Sequence, residues 1–153
     1  MTSELFGDRV FAKRHAADWL GAVDLAGSVW LQEGDCDESY IELIKQQLTE
    51  NNAYAVILPG LVLLHAEPGH GVNRNTLMII TLDEPVCFGH EFNDPVQVMI
   101  CFTSLQTQDH LQSMKKIAKM LLDDDFADRA TAAPDDAALM ELICSLESAY
   151  HGG

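Results

Sequence analysis

Apolar residues recur every three or four positions in the first and last thirds of the chain, which is the spacing of amphipathic helices. Gly34 and Asp35 end the first apolar series, and Asp37 can cap the second. Pro134 precedes the last series. Residues 1–13 lack the pattern and are expected to form a partly ordered segment. The spacing predicts helices over residues 15–31, 37–52, 108–122 and 137–150.

The middle third instead contains short apolar runs separated by turn residues, a pattern typical of strands. The run from Val96 to Phe102 is almost entirely apolar, as expected for a central strand covered on both faces. Helices on either side of a group of strands favour an α/β fold in which helices flank one sheet. Strands are predicted over residues 54–58, 61–65, 76–82, near 86 and over 96–104.

His65 ends the apolar run Leu61-Val62-Leu63-Leu64 and leads into a turn rich in glycine and proline. A polar side chain at the end of a buried strand can face a cleft while its backbone is held in place. The position therefore suits a reactive imidazole. A single histidine at such a place is more often structural, so the function has to be judged from more of the chain.

A series of short motifs extends from residue 51 to residue 123. In order, the motifs are Val56-Ile57-Leu58-Pro59-Gly60, Leu63-Leu64-His65-Ala66-Glu67-Pro68, Gly71-Val72, Thr76-Leu77-Met78-Ile79-Ile80, Pro85-Val86-Cys87-Phe88-Gly89, Asn93-Asp94-Pro95-Val96 and Asp109-His110-Leu111. Their order and spacing resemble the enzyme IIA component of the sugar phosphotransferase system, in its mannitol/fructose superfamily. Residues 53–60 are most similar to the ascorbate-type branch.

This resemblance implies a helix-flanked mixed β-sheet sandwich and a phosphocarrier function in sugar uptake. His65 would accept a phosphoryl group from the phosphocarrier protein HPr and pass it to an enzyme IIB component. His110 would hydrogen-bond the phosphate or offset its charge, and the start of its helix would offer free backbone amides. No metal or other cofactor is expected, because imidazole is a good nucleophile at neutral pH and phosphoryl transfer depends mainly on positioning and charge.

Two residues beside His65 depart from the family pattern. Leu64 stands where the family usually has proline, and Glu67 stands where the ascorbate-type branch usually has arginine. A carboxylate near an incoming phosphate would disfavour the phosphorylated state. An alternative hypothesis is therefore a degenerate or regulatory module that binds partners with weak or no phosphotransfer. His70 could replace the missing donor, and Arg74 is either a phosphate clamp or, as favoured here, a surface residue of a strand.

The chain has the length of one domain, residues 1–153, and it is strongly acidic. Nine basic residues against 24 acidic ones give a formal charge of −15, which argues against nucleic-acid binding because phosphate backbones require cations. The charge fits either a basic protein partner such as HPr or solubility alone. No apolar run approaches the roughly 20 residues of a membrane helix, so no membrane insertion and a cytoplasmic location are expected.

The cysteines are far apart and include no C-x-x-C pair, so reduced, buried thiols are expected rather than a redox or zinc site. They are Cys36, Cys87, Cys101 and Cys144.

A metal site built from histidines is a third functional hypothesis. It would combine His65 and His110 with His70 and His90, but their spacing fits no standard zinc pattern. Taken alone, His90 is expected to be a solvent-facing turn residue.

Overall fold

A computed structural model of the chain describes residues 1–152. Helices at both ends of the sequence enclose a block of strands. The elements are β1 (Val10–Arg14), α1 (Trp19–Glu33), α2 (Glu38–Glu50), β2 (Val56–Leu58), β3 (Leu61–Leu64), β4 (Thr76–Val86), β5 (Val96–Thr103), α3 (Thr107–Met120), α4 (Phe126–Ala132) and α5 (Asp136–Gly152).

The strands form one mixed sheet in the order β1-β4-β5-β3-β2. Neighbours β1 and β4 are parallel, as are β3 and β5, whereas β4 runs antiparallel to β5 and β2 antiparallel to β3. β5 is the central strand, and seven of its eight residues are buried. The predicted α/β sandwich with a mixed sheet, and the predicted burial of this strand, are therefore confirmed.

Helices cover both faces of the sheet. Side chains alternate along a strand, so Met99 and Cys101 of β5 enter the core under α1 and α2, while Ile100 and Phe102 enter the core under α3, α4 and α5. In β3, Leu63 belongs to the second core. Because side chains two apart share a face, His65 is directed to the side covered by α3.

The helix boundaries follow local capping chemistry. Asp18 caps α1 by accepting a hydrogen bond from the Gly21 amide at 2.8 Å, so the helix begins at Trp19, four residues after the predicted start. The helix ends at Gly34, whose φ of 72° is readily adopted only by glycine. Asp37 caps α2 as predicted, through the Ser39 amide at 3.0 Å.

Two elements were not predicted. Residues 1–13 contain most of β1 rather than a partly ordered segment, and Val10 pairs with Ile79 of β4. β1 has only five residues and two of them are basic, so its apolar pattern is weak. α4 has seven residues, too few for a helical period to be visible in the sequence. In addition, β4 continues to Val86 across a register shift instead of forming two separate pieces.

The expectation that all the cysteines are buried is wrong. Cys36 and Cys101 are buried, but Cys144 is only half-buried and Cys87 is exposed, because β4 ends at the residue before it. All of them are free thiols. Burial, followed by the charges of Asp35 and Asp37, raises the pKa of Cys36 to about 12, so this thiol is unreactive at neutral pH.

Within the described part of the chain, none of the helices has both the length and the apolar character required to cross a membrane.

Candidate functional site

His65 and His110 lie together at one edge of the sheet. β3 and β5 are parallel, so their carboxyl ends share an edge, and the segment after β5 leads directly into α3. His65 follows β3, and His110 lies in the first turns of α3. The two imidazole centroids are 5.2 Å apart, with an angle of 46° between the rings. The topology therefore brings together both residues that the sequence singled out.

The orientation of the His65 ring is set by two contacts. The pairing of Leu64 with Cys101 places His65 beside Phe102, and the two rings stack with centroids 4.6 Å apart and 12° between their planes. Nδ1 of His65 lies 2.7 Å from the Leu63 carbonyl oxygen. A carbonyl oxygen can only accept, so Nδ1 carries the proton and Nε2 of the neutral ring keeps its lone pair.

Burial governs the protonation of both histidines. It lowers the pKa of His65 below 6.5, an effect opposed by the Leu63 carbonyl and reinforced by the charge that His110 can carry. Burial also lowers the pKa of His110 from 6.5. Both rings are therefore neutral at pH 7. Neutrality is the state in which an imidazole nitrogen can act as a nucleophile.

The two histidines line a cavity of about 320 Å³. Its described lining is partly polar but contains no lysine or arginine. The Tyr54 hydroxyl donates to Oε1 of Gln47 at 3.4 Å, and Nε2 of Gln47 donates to Glu67 at 3.3 Å. Burial and then the charge of Glu67 raise the pKa of Tyr54. The described lining residues are Gln47, Asn51, Tyr54, His65, Ala66, Glu67, Pro68 and His110.

His110 occupies the start of α3 with one ring nitrogen unsatisfied. Its backbone amide donates to the Gln106 carbonyl at 3.1 Å, as expected in a helix. Its Nδ1 is buried and has no hydrogen-bond partner among the described residues. The Asp109 carboxylate accepts from the Gln106 amide at 3.1 Å, so the first turn of α3 already holds a negative charge at its positive end.

His70 and His90 lie elsewhere. His70 is exposed and is not among the described lining residues. The neighbouring Gly71 carbonyl accepts from the Asp37 amide at 2.9 Å, which holds this turn against the start of α2. His90 is half-buried, and its Nδ1 accepts from the Phe92 and Asn93 amides at 3.1 and 3.0 Å. It is a turn residue, as expected, but one that organises the turn.

Arg74 is neither a phosphate clamp nor a free surface residue of a strand. It precedes β4, and its guanidinium donates to the Glu33 carbonyl and lies 3.5 Å from the Asp35 carboxylate. Arg74 therefore stabilises the end of α1 rather than the cavity.

The hypothesis of a histidine metal site finds no geometric support in the described residues. Nowhere in residues 1–152 does the structure place three or more histidine, cysteine, aspartate or glutamate side chains where they could hold a metal ion. The His65 and His110 pair lacks a third ligand of these types.

Tyr40 contributes to the site, although no sequence motif points to it. Its hydroxyl accepts from the Ala66 amide at 3.0 Å and donates to the Phe102 carbonyl at 2.9 Å. The sequence pattern shows Tyr40 only as one more residue near the start of an amphipathic helix. No sequence signal identifies the partner of a buried hydroxyl when that partner is backbone.

Comparison with known proteins identifies the family of the chain. Residues 5–145 match the family described as "Phosphoenolpyruvate-dependent sugar phosphotransferase system, EIIA 2". A protein of Escherichia coli (strain K12), SgcA, named as a candidate phosphotransferase IIA component, is 34% identical over 137 residues, which cover 88% of this chain and 94% of that protein. The ascorbate-specific EIIA component of Shigella boydii is 26% identical over 129 residues, 84% of each chain.

Solved structures show the same fold. The mannitol-specific cryptic enzyme IIA CmtB from Escherichia coli superimposes with a TM-score of 0.83 at 21% identity, covering 93% of this chain and 97% of that one. The mannitol enzyme IIA from Escherichia coli, solved in complex with phosphorylated enzyme IIB, gives a TM-score of 0.76 at 17% identity, covering 90% and 95%.

Proposed function

The chain belongs to the EIIA 2 family of the phosphoenolpyruvate-dependent sugar phosphotransferase system, and from this premise we propose that it is a phosphohistidine carrier. His65 accepts a phosphoryl group from phospho-HPr and passes it to an enzyme IIB component. One observation carries this proposal: the rings of His65 and His110 line the same cavity with their centroids 5.2 Å apart. The His65 ring is neutral, and the Leu63 carbonyl holds its Nδ1.

The chemistry uses the His65 nitrogen that the backbone leaves free. The Nε2 lone pair attacks phosphorus while the bond from phosphorus to the donor histidine of HPr breaks, and its electron pair returns to that histidine. The Nδ1 proton stays on the ring, where the Leu63 carbonyl at 2.7 Å stabilises the charge that the phosphorylated imidazole acquires. Transfer to enzyme IIB reverses these steps. The transfer as written requires no metal or cofactor.

His110 stabilises the transferred group. The described cavity lining contains no lysine or arginine. His110 can supply the missing positive charge beside the phosphate by taking up a proton. Its ring is neutral before transfer and gains proton affinity when negative charge arrives. His110 thus supplies a hydrogen bond and an offsetting charge when they are required.

The surface around the cavity suits a partner that is apolar and basic. Tyr54 lines the cavity and exposes 42% of its surface, and Glu67 adds a negative charge at the rim. Leu111, which follows His110 in the chain, exposes 56% of its surface, and Leu105, just before α3, exposes 42%. HPr, whose docking face combines apolar and basic groups, fits this surface. The similarity to an enzyme IIA solved with enzyme IIB supports enzyme IIB as the acceptor, and the ascorbate-specific relatives support an ascorbate-like cargo.

The experiment is reconstitution from purified components. The chain is incubated with phosphoenolpyruvate, enzyme I and HPr, and its intact mass is measured beside His65→Ala and a matched control, His15→Ala. His15 is exposed and contacts Asp83 at 3.1 Å, away from the cavity. We expect one acid-labile phosphate on the wild type and on His15→Ala, and none on His65→Ala. Phosphate on His65→Ala would overturn the assignment.

A second candidate function, a binding module with little phosphotransfer, is favoured by one specific observation. Glu67 is exposed at the cavity rim, where it adds like charge to an incoming phosphate without a neighbouring lysine or arginine in the described lining. If the wild type stays unmodified while HPr is demonstrably phosphorylated, and Glu67→Arg becomes phosphorylated, this second function is the correct one. Complete phosphorylation of the wild type, at one phosphate per chain, excludes it.

A further inference from the structure

One buried hydroxyl connects the backbone on both sides of the proposed acceptor. The Tyr40 hydroxyl accepts from the amide of Ala66, the residue after His65, and donates to the carbonyl of Phe102, whose ring stacks on His65. The Ala66 carbonyl is farther away, at 3.5 Å, so the single hydroxyl proton belongs to Phe102 at 2.9 Å. Tyr40 therefore links the residue after His65 to β5, the strand whose Phe102 ring stacks on His65.

The Tyr40 hydroxyl lies just beyond the last residue pair of β3 and β5. The pairing of β3 with β5 ends at Leu64 and Cys101, one residue before His65. Beyond that pair, the Ala66 amide and the Phe102 carbonyl would be buried without partners, and leaving such groups unpaired is costly. Tyr40 bridges them and extends the connection between the two strands past His65.

The position of Tyr40 itself is fixed by its surroundings. The side chain is fully buried, with 0% of its surface exposed, and its ring meets Trp30 edge to face with centroids 5.5 Å apart. It lies in the first turn of α2, which Asp37 caps. The Asp37 amide also donates to the Gly71 carbonyl at 2.9 Å, so the start of α2 is attached to the turn that follows His65.

We propose that Tyr40 is a positioning residue for phosphoryl transfer. Its hydroxyl holds the His65 backbone against Phe102, and that placement keeps Nδ1 of His65 on the Leu63 carbonyl and Nε2 available. The proposal rests on the function proposed for His65. Tyr40 touches neither the phosphoryl group nor the partner protein, so its effect is on the rate of transfer and not on docking.

Tyr40→Phe removes the hydroxyl and keeps the ring packed against Trp30. Misplacement of a reacting group by about 1 Å can cost on the order of 100-fold in rate, so we expect a loss of about 10- to 100-fold in kcat for phosphorylation. The KM for phospho-HPr should stay within about twofold, because the docking surface is unchanged.

Thr81→Val is the matched control. Thr81 is fully buried in β4, and its hydroxyl accepts from the Lys13 amide at 2.9 Å, so valine also removes one buried hydroxyl bond to a backbone amide. Thr81 pairs with Val98, four residues along β5 from Phe102. Both variants should lose stability, Tyr40→Phe the more because its hydroxyl makes two bonds, but only Tyr40→Phe should alter the site.

The deciding measurement is nitrogen-15 NMR of the His65 ring in the unphosphorylated proteins, read together with kcat and KM. Circular dichroism first sets a temperature at which each variant is fully folded. We expect the wild type and Thr81→Val to show the Nδ1–H form of His65, and Tyr40→Phe to show a mixture with the Nε2–H form.

Tyr40→Phe with the wild-type ring signals and the same kcat as Thr81→Val would overturn the proposal and leave Tyr40 a purely structural residue. The ring signals also distinguish a failure of the positioning role of Tyr40 from a failure of the carrier function of His65. If the wild type is never phosphorylated but its ring tautomer depends on Tyr40, the carrier function fails while the positioning role of Tyr40 stands.

Discussion

Phosphorylation of His65 would place negative charge beside His110 and should raise the proton affinity of the His110 ring. Before transfer, burial lowers the pKa of His110 and keeps the ring neutral at pH 7. Its Nδ1 has no partner among the described residues, and the cavity lining contains no lysine or arginine that could absorb the new charge. Phosphorylation should therefore be accompanied by protonation of His110.

The magnitude follows from the separation of the two rings. Their centroids are 5.2 Å apart. One unit of charge at this distance contributes about 3 kcal/mol at an effective dielectric constant of about 20, and about 0.8 kcal/mol in bulk water. A half-buried site lies between these limits. The proton affinity of His110 should thus rise about 10- to 100-fold when His65 carries the phosphate.

The assay is an NMR titration of the histidine rings, carried out with and without an excess of phosphoenolpyruvate, enzyme I and HPr that keeps the protein phosphorylated. His15 and His90 serve as internal controls in the same spectra, because His15 contacts Asp83 and His90 lies in the turn that its own Nδ1 organises. Their ring signals should be the same with and without the phosphate on His65. A change of less than about threefold in the proton affinity of His110 would refute the assigned role.

Three further predictions concern charge and stability. Glu67→Arg should raise the equilibrium constant for phosphoryl transfer from HPr about 3- to 10-fold, because a cation replaces like charge at the rim; intact mass at a limiting amount of phospho-HPr measures this constant, and an unchanged value would show that Glu67 does not act on the phosphate. Asp35→Ala should lower the free energy of unfolding by about 3 kcal/mol, because the fully buried Asp35 carboxylate pairs with Arg9 and Arg74. This loss corresponds to a melting temperature about 6–12 °C lower, and a decrease of less than about 2 °C would contradict the prediction. Burial lowers the pKa of both site histidines below 6.5, so the unfolded chain binds protons on these residues more readily than the folded protein does. The free energy of unfolding that His65 and His110 contribute is therefore fully present above pH 6.5 and is lost as the pH falls below it. Urea denaturation at about pH 7.5 and about pH 5.5 should show a smaller pH-dependent loss in a His65→Gln, His110→Gln double variant, and an equal loss would contradict this account.

The central strands and the two site histidines could be predicted because their signals are local or repeat at a fixed period. β5 was recognised from an almost entirely apolar run, and α2, predicted to end at residue 52, ends at Glu50, two residues before Asn52 adopts a φ of 54°. His65 was recognised from its place at the end of an apolar strand. His110 was selected through its family motif, and the parallel pairing of β3 with β5 explains why the two meet.

The remaining features depend on contacts between distant parts of the chain. β1 is held by its pairing with β4, and the Arg14 guanidinium reaches Asp136 at 2.9 Å, a partner 122 positions away. Arg74 was expected at a phosphate or on a strand surface, but the buried Asp35 carboxylate attracts it. Such pairings have no periodic signature, and neither does the hydrogen bonding of Tyr40 to two backbone groups.

The most direct test is the identity of the nitrogen that carries the phosphate. Because Nδ1 of His65 is bound to the Leu63 carbonyl at 2.7 Å, the structure leaves Nε2 as the nucleophile. Phosphorus-31 and nitrogen-15 NMR of the phosphorylated wild type should show one phosphohistidine, at His65, with phosphorus bonded to Nε2 and the proton on Nδ1. A phosphate on Nδ1 of His65, or on any other residue, would contradict the account.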